Sequence, residues 1–471
     1  MVETSLKLMP LLALAGGSFL VLLYEVFSKK LKSYSFFLSL LILGISGYYI
    51  ITLFGSGEIT LFEGFLTLNN YWLFVAGLIV FVSFFTLLLS YPYKGLKNEY
   101  YFLILIAALG MSLIPATWNF LTLFLGVELL SLCFYILVTY QTSNLRANEA
   151  ALKYFILGAF AAGFFVFGIA LIYAATGSFS MKDTSSILLT PEVNMTYLTI
   201  GIAFIIVALG FKIASAPFHM WTPDAYEGAP TPITSFMATG VKVAAFAALY
   251  QIFFVYLAPL KTHWEFVFYA LCILTMFVGN LGALIQKNVK RLLAYSSIAH
   301  AGYLLIPFVS YTFNTKIEAS TSLFYYLVIY CIMNIGAFAI VIALGQEDID
   351  DYAGLSSKKP LTALVFSLFL LSLAGFPPTA GFLAKFFIFA AALQTKFYWL
   401  VVLAVINAFI AIYYYTKIIV TMYMKESEVS ETKTSFHPLL IVTLVIMAAL
   451  TLYLGIKPDL LLNLIKNSLF F

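Results

Sequence analysis

Long apolar stretches separated by short polar connectors recur along the whole 471-residue chain, and their length sets the predicted architecture. Many of these stretches hold about twenty residues or more, which a helix needs to cross about 30 Å of hydrocarbon. A β-barrel would instead show segments of about ten residues with alternating polarity, and the sequence shows none. We therefore predict an all-α polytopic membrane protein.

Charged and turn residues mark the ends of the apolar stretches and predict fourteen transmembrane helices. The predicted spans are 8–27, 34–54, 71–91, 99–117, 118–140, 148–175, 196–225, 230–257, 264–286, 290–313, 319–345, 360–393, 397–423 and 437–456. The division between the fourth and fifth spans, in "IPATWNF", leaves almost no loop. Merging those two spans would place the termini on opposite sides of the membrane.

Composition agrees with this class and narrows the partners. The chain is 63% hydrophobic and 10% charged, whereas soluble domains carry about 25% charged residues. Its net charge of +4 is small and dispersed, so nucleic acid is not an expected partner.

The distribution of basic residues predicts the orientation in the membrane. Thirteen Lys and Arg residues follow odd-numbered spans, against seven in the other loops and the tails. Because basic residues collect on the cytoplasmic side, both termini are predicted to be extracytoplasmic.

Seven ionisable residues fall within predicted spans and need a reason to be there. They are Glu128, Lys153, Lys212, Lys242, His300, Lys385 and Lys417. Each charged group near the bilayer centre costs at least about 2.5–3.5 kcal/mol, so it must face protein or water. A structural alternative is that some of these side chains extend to the interface or pair to fix helix packing. That alternative and a functional role weigh equally for Lys417 and for His300.

The spacing of these residues predicts an internal repeat. Glu128 precedes His300 by 172 positions, Lys212 precedes Lys385 by 173, and Lys242 precedes Lys417 by 175. This offset equals five predicted spans, so spans 4–8 would correspond to spans 9–13. Because five is odd, the second set would cross the membrane in the opposite direction, as in the inverted repeats of secondary transporters.

The repeat gives a predicted domain organisation of four parts. They are an N-terminal three-helix segment (1–98), the first inverted repeat (99–257), the second inverted repeat (258–424), and a C-terminal span with its tail (425–471).

Two of the predicted spans are overlong and contain helix breakers. The seventh span holds Pro217 in "SAPF", and the twelfth holds Pro377 and Pro378 in "AGFPPTAG". Since proline removes a backbone donor and clashes with the preceding turn, we predict that both helices are discontinuous. One mismatch remains: Pro217 follows its lysine, whereas Pro377 and Pro378 precede theirs.

Buried lysines beside broken helices suit proton transfer. Desolvation lowers the proton affinity of a lysine, and a neighbouring carboxylate raises it again. Such a lysine can therefore bind and release a proton when the carboxylate moves. Glu128 is the expected partner of Lys212, because both lie within spans. Lys242, His300 and Lys385 would extend a row of titratable groups, with histidine suited to a relay near neutral pH.

Several stretches resemble the antiporter-like subunit N family of respiratory complex I, which includes mitochondrial subunit 2 and its chloroplast counterpart. The similar stretches are "WNFLTLFLGVELLSLCFYILV", "NEAALKYFILGAF", "GFKIASAPFHMWTPDAYEGAPTPITSFMATGVKVAAF", "NVKRLLAYSSIAHAGYLL" and "SLAGFPPTAGFLAKFFIF". Together they cover spans 5 to 12. The motif "PFHMWTPDA" favours this branch over sister antiporters, which tend to read "PLHxWLPDA".

The resemblance implies a proton-translocating subunit driven by redox chemistry elsewhere in the complex. By this resemblance, Glu128, Lys212, Lys242 and Lys385 match proton-channel positions, while Lys153 and His300 match supporting positions. No cofactor or metal is expected in this chain, since flavin, iron–sulfur clusters and quinone belong to other subunits of the family. The expected partners are sister antiporter-like subunits and lipid, in the plasma (inner) membrane of a prokaryote.

Two other functions compete with this one. A subunit of a multisubunit Na⁺/H⁺ antiporter, or of a membrane-bound hydrogenase-type complex, shares the superfamily pattern, although a sodium site favours more carboxylates than the deep Glu128 alone. A structural scaffold with buried ion pairs is the third. It fails if neutral substitutions abolish pumping and leave assembly intact.

Overall fold

The computed structural model describes residues 2–27, 32–93, 95–96, 99–188, 190, 193–312, 316–426 and 436–469. Five basic residues that entered the orientation count, Lys29, Lys30, Lys94, Lys97 and Lys433, lie outside the described residues.

Helices form most of the described chain. The α-helices are α1 (Val2–Phe27), α2 (Lys32–Leu53), α3 (Asn70–Ser90), α4 (Tyr100–Leu113), α5 (Phe120–Val138), α6 (Leu145–Thr176), α7 (Met181–Ile187), α8 (Met195–Ile213), α9 (Trp221–Gly228), α10 (Thr231–Phe236), α11 (Lys242–Leu249), α12 (Lys261–Leu284), α13 (Val289–Ser310), α14 (Lys316–Leu344), α15 (Leu355–Lys358), α16 (Pro360–Ala374), α17 (Ala380–Gln394), α18 (Tyr398–Met424), α19 (Pro438–Ile456) and α20 (Asp459–Ser468). A short antiparallel hairpin, β1 (Ile59–Leu61) and β2 (Leu66–Leu68), precedes α3.

The predicted class is confirmed, and the helices correspond to the predicted spans. Within the described residues, twelve helices are long and apolar enough to cross a membrane. The remaining two predicted spans correspond to the shorter apolar helix α4 and to the pair α16 and α17. The total of fourteen therefore stays a prediction, because length and composition alone identify twelve.

The centre of the bundle is formed by α3, the segment Thr231–Tyr256, α13 and α14, which are buried over most of their length. The helices α1, α2, α6, α12, α18 and α19 surround them and leave most of their residues outside the core. In Thr231–Tyr256, π-helical turns at Met237–Val241 and Tyr250–Tyr256 flank α11. The first π-helical turn ends directly before Lys242, so the backbone is irregular where this lysine enters the core.

Both predicted helix breaks are present, and they share one hydrogen-bond pattern. Helix α8 ends at Ile213, the next residue Ala214 has the left-handed φ of 61°, and the Ser215 amide donates to the Gly210 carbonyl at 2.9 Å. Helix α16 ends at Ala374, the next residue Gly375 has a φ of 94°, and the Phe376 amide donates to the Leu371 carbonyl at 3.0 Å. The left-handed residue and the five-residue bond are both typical of helix C-termini.

A second pair of matching contacts relates the two predicted repeats. The segment before α5 pairs with the segment before α7: Phe120 N donates to Phe179 O at 3.0 Å, and Met181 N donates to Trp118 O at 2.9 Å. An isolated bridge with the same two-bond pattern joins the segment before α13 to the one after α14. There, Val289 N donates to Glu347 O at 2.6 Å and Ile349 N to Lys287 O at 2.8 Å. Both pairs of contacts support the inverted repeat, and its residue boundaries remain a prediction.

Ion pairs join the two halves on the predicted cytoplasmic side. Arg291, in the first turn of α13, donates from Nη1 to Asp224 at 2.7 Å and to Glu227 at 2.8 Å. The buried Lys290 Nζ donates to the carbonyls of Glu227 and Ala229 at 2.7 and 2.8 Å. Helix α9, which follows the first break, is therefore attached to the helix that carries His300.

The charged connector between α14 and α16 is also attached to the bundle. Ile349 and Tyr352 in this connector are buried. Lys425 donates a hydrogen bond to Asp350 at 2.9 Å, and this bond, with the charge of Lys425, holds the pKa of the Asp350 carboxyl below its ordinary value. Both side chains of this pair are exposed, so the pair adds little to stability.

We predict that the second break tolerates no side chain at Gly381. A Cβ there would collide with the Ser372 carbonyl oxygen, so Gly381→Ala must push α16 and α17 apart. The expected loss of stability is about 1–3 kcal/mol, measured as a lower apparent melting temperature of the purified protein. The control is Gly44→Ala in α2, where a Cβ meets no atom within 4 Å. Equal melting temperatures for the two variants would contradict the prediction.

Candidate functional site

Four of the predicted site residues lie inside the protein. Lys212, Lys242, Lys385 and His300 are 5%, 1%, 5% and 1% exposed, respectively. Since an unpaired buried ammonium is costly, each lysine must find acceptors for its protons. The acceptors that the structure provides are neutral oxygens, described below for each lysine in turn.

Lys212 occupies the last turn of α8, directly before the first break. Its Nζ donates to the Ser131 hydroxyl of α5 at 2.6 Å, and it lies 5.4 Å from the ring centroid of Phe211 and 5.9 Å from that of Tyr135. The predicted direct pair with Glu128 is not formed, because no ion pair of Lys212 occurs among the described residues. Glu128 is partly buried, and its Oε1 is enclosed with no hydrogen-bond donor among the described residues.

Lys385 reaches the second break from the opposite half of the helix. It lies on α17, and its Nζ donates to the carbonyls of Leu373 and Ala374 at 3.0 and 2.7 Å, at the end of α16. These carbonyls lack helical partners, and the C-terminal end of a helix dipole favours a cation. Both Lys212 and Lys385 thus lie at the C-terminal end of a first half-helix.

This geometry corrects the charge register taken from the sequence. If the breaks are superposed, Ala214 corresponds to Gly375, and Lys212 corresponds to Leu373 and not to Lys385. The sequence spacing pairs these two lysines, but the structure does not place them at equivalent backbone positions. Lys212 lies on the half-helix that ends at its break. Lys385 follows its own break, and its long flexible side chain reaches back to the end of the preceding half-helix. This difference explains why the prolines follow one lysine and precede the other.

Lys242 and His300 lie between the two breaks. Lys242 Nζ donates to the Ser297 carbonyl of α13, and its Nζ is 5.5 Å from the ring centroid of Tyr330. His300 Nδ1 hydrogen-bonds to the Tyr326 hydroxyl at 2.8 Å, and its Nε2 to the Tyr415 hydroxyl at 3.2 Å. Both ring nitrogens therefore contact groups that can either donate or accept a proton.

Aromatic side chains connect these groups into one row. The ring of Tyr330 is 5.1 Å from the His300 ring, the ring of Tyr303 is 6.0 Å from it, and Lys385 Nζ is 5.1 Å from the Tyr303 centroid. Lys242, His300 and Lys385 are therefore neighbours across two tyrosines. The contacts between Lys212 and Lys242 run mainly through aromatic groups, with Trp221 and Tyr226 between them.

The sequence did not single out the residues that complete this row. They are Ser131, Ser297, Tyr303, Tyr326, Tyr330 and Tyr415. A signal was present for some of them: Tyr326 and Tyr330 are four apart on α14, and Tyr303 follows His300 by three, spacings that place side chains on one helix face. Ser297 contributes a backbone carbonyl, so its side-chain identity gives no signal.

Lys153 and Lys417 lie apart from the row. Lys153 falls within the candidate span Leu145–Thr176, but it is 46% exposed and forms ion pairs with Glu149 at 2.7 Å and Asp224 at 2.9 Å, so it does not join the buried row. Lys417 Nζ donates to the Gln286 carbonyl at 3.2 Å, just after the end of α12. This contact fits the alternative in which Lys417 fixes helix packing.

A metal site has no obvious set of ligands here. Within the described residues, no group of three or more His, Cys, Asp or Glu side chains could hold a metal ion. The three cysteines Cys133, Cys272 and Cys331 are all buried and unpaired as thiols. The sequence-based expectation that this chain holds no metal or cofactor remains a prediction.

Known families and proteins match this chain over most of its length. A family model described as NADH:quinone oxidoreductase/Mrp antiporter, TM, matches residues 117–411. The NADH-quinone oxidoreductase subunit N of Trichlorobacter lovleyi is 38% identical, over 98% of this chain and 96% of that protein. The subunit N of Chloroflexus aggregans is 39% identical, over 98% and 96%.

Solved structures of membrane complexes share the fold. A chain of respiratory complex I from Thermus thermophilus with bound aureothin matches with a TM-score of 0.83 and 34% identity, over 97% of this chain and 99% of that one. A chain of the Mrp complex from Dietzia matches with a TM-score of 0.86 at 20% identity, over 99% and 97%, which shows the fold alone. The full-length matches at 38–39% identity confirm the resemblance, and the chain belongs to the antiporter-like subunit N family of NADH-quinone oxidoreductases.

Proposed function

We propose that this chain translocates protons as a membrane subunit of an NADH:quinone oxidoreductase, through a row that begins at Glu128 and continues through the buried Lys212, Lys242, His300 and Lys385. The energy comes from redox chemistry in other subunits, where flavin, iron–sulfur clusters and quinone are held. The observation that carries the proposal is the contact row from Lys242 through Tyr330, His300 and Tyr303 to Lys385.

The chemistry of the row suits stepwise proton transfer. Each of the three lysines donates to a neutral oxygen, so its proton is not held by a carboxylate. Its affinity for the proton then depends on small movements of the ammonium relative to other charges and to the helix ends. His300 can accept a proton on one ring nitrogen and release one from the other, because Tyr326 and Tyr415 contact both nitrogens.

The ends of the row give it direction. Glu128 is the carboxylate beside Lys212 in the first repeat, and Lys385 lies at the break of the second repeat. In this proposal the two ends open toward opposite membrane faces, as in secondary transporters that are built from inverted repeats. In this proposal Lys153 contributes from the surface ion-pair cluster with Asp224 and takes no part in the buried row. The protein works in the plasma membrane of a prokaryote, with both termini extracytoplasmic and with sister antiporter-like subunits as partners.

We predict that Glu128→Gln and Lys385→Ala each lower proton pumping coupled to NADH oxidation, while the complex still assembles. Each substitution removes a titratable end of the row and leaves the neighbouring helices in place. Pumping is measured with a pH-sensitive dye in vesicles that contain the complex, and assembly on native gels. Full pumping in both variants would contradict the proposal, and loss of assembly in both would favour a scaffold.

We predict further that Tyr415→Phe lowers pumping about tenfold, the factor associated with leaving a buried polar group unpaired. The Tyr415 hydroxyl contacts both His300 Nε2 and the Ser296 hydroxyl, so its removal interrupts the row at the histidine. The matched control is Tyr413→Phe on the same helix, since Tyr413 is 64% exposed. Equal pumping by the two variants would argue against His300 as a relay.

A sodium-exchanging role is separated from this proposal by one experiment. If the chain acts as a Na⁺/H⁺ antiporter, the isolated protein in liposomes dissipates a pH gradient only when sodium is added. The proposal expects no sodium dependence, because the buried row offers lysines and a histidine where a sodium ion requires oxygen ligands.

A further inference from the structure

Ser131 of α5 is placed where it controls the position of Lys212. It follows Glu128 by three residues, so both side chains lie on the same face of the helix. Ser131 is 0% exposed, and its oxygen accepts the Lys212 ammonium at 2.6 Å. Lys212 thus faces two oxygen groups on adjacent turns of α5, and in this structure it contacts the hydroxyl and not the carboxylate.

The hydroxyl is oriented to accept. Ser131 has one proton, and it donates that proton to the carbonyl of Val127 in the preceding turn of its own helix. Its lone pairs are therefore directed away from the backbone and toward Lys212. Such a bond to an ionised donor is stronger than one between neutral groups, so Ser131 competes with other acceptors for the ammonium.

Glu128 is the competing acceptor. Its Oε1 is buried, and no described group donates a hydrogen bond to it. A buried oxygen without a donor is costly, so this atom favours any movement that brings a donor to it. The rings of Phe211 and Tyr135 lie within 6 Å of the ammonium and attract cations with their faces, which confines Lys212 to this side of α5.

We propose that Ser131 is a positioning residue that holds Lys212 away from Glu128 in one of two states of the first repeat. In the other state the ammonium moves about one helical turn along α5 and pairs with Glu128. Ser131 itself carries no proton between sites. This inference rests on the proposed proton translocation and adds the group that lets Lys212 separate from its carboxylate.

The test compares Ser131→Ala with Ser131→Thr in the assembled complex. Without the hydroxyl, Lys212 stays with Glu128, so S131A is expected to lower pumping on the order of tenfold, the worth of one hydrogen bond to a charged group. S131T keeps a hydroxyl, so its pumping is expected to equal that of the unsubstituted complex. The control is Ser83→Ala in α3, since Ser83 is equally buried and its hydroxyl bonds to the Ile79 carbonyl of its own helix.

A double variant separates positioning from packing. If Ser131 acts only through the contact between Lys212 and Glu128, adding S131A to E128Q lowers pumping no further than E128Q alone. Additive losses would show that Ser131 acts elsewhere and would overturn the inference. So would pumping by S131A equal to that of S83A, or a loss that S131T does not restore.

The structure of the S131A complex gives an independent readout. A cryo-EM map is expected to show Lys212 Nζ within about 4 Å of the Glu128 carboxylate, the distance of an ion pair. An unmoved Lys212 would overturn the inference. If S131A does not assemble, Ser131→Cys is the variant to measure, because cysteine has a similar volume and its thiol is a weak hydrogen-bond acceptor. Reduced pumping by S131C supports the inference, and full pumping overturns it.

The two proposals can fail separately. If E128Q lowers pumping and S131A does not, the positioning role of Ser131 fails and proton translocation stands. If neither variant lowers pumping, the proposed function itself fails.

Discussion

The structure depends on one constraint: an ammonium group inside an apolar bundle must donate its protons to oxygen. Each buried lysine of the row meets this requirement in a different way. Lys212 uses the Ser131 hydroxyl, Lys242 uses the Ser297 carbonyl, and Lys385 uses the carbonyls at the end of α16. Because these acceptors are neutral, they satisfy the hydrogen bonds without fixing the charge, and a fixed charge would be of no use in proton transfer.

The broken helices provide some of these oxygen acceptors. A continuous helix keeps its carbonyls in its own hydrogen bonds, whereas a helix that ends inside the bundle leaves the last carbonyls available. The breaks after Ala214 and Gly375 each place a helix C-terminus beside a lysine. In the second repeat, the lysine at the helix end also lies over Tyr303, which contacts His300.

Much of the fold could be predicted from the sequence, because hydropathy and proline act locally. The spans and both discontinuous helices follow from runs of apolar residues and from Pro217, Pro377 and Pro378. Residue spacing also predicted the repeat, but it misplaced the lysines, since a side chain of Lys385's length can reach the helix end from the far side of the break.

The fine geometry of the site was beyond the sequence for a related reason. Which oxygen Lys212 selects, Glu128 or Ser131, depends on distances of a few ångströms between helices α5 and α8. The tyrosines were missed because a buried tyrosine in a membrane helix has the same sequence pattern as ordinary core packing.

The account requires a hydrated, proton-conducting connection between the two repeats. A cryo-EM map of the assembled complex that resolves ordered water tests this requirement most directly. The account predicts water molecules that join Lys242, His300 and Lys385 through the hydroxyls of Tyr330, Tyr303 and Tyr415. Dry aromatic packing between these residues in every resolved state would contradict it.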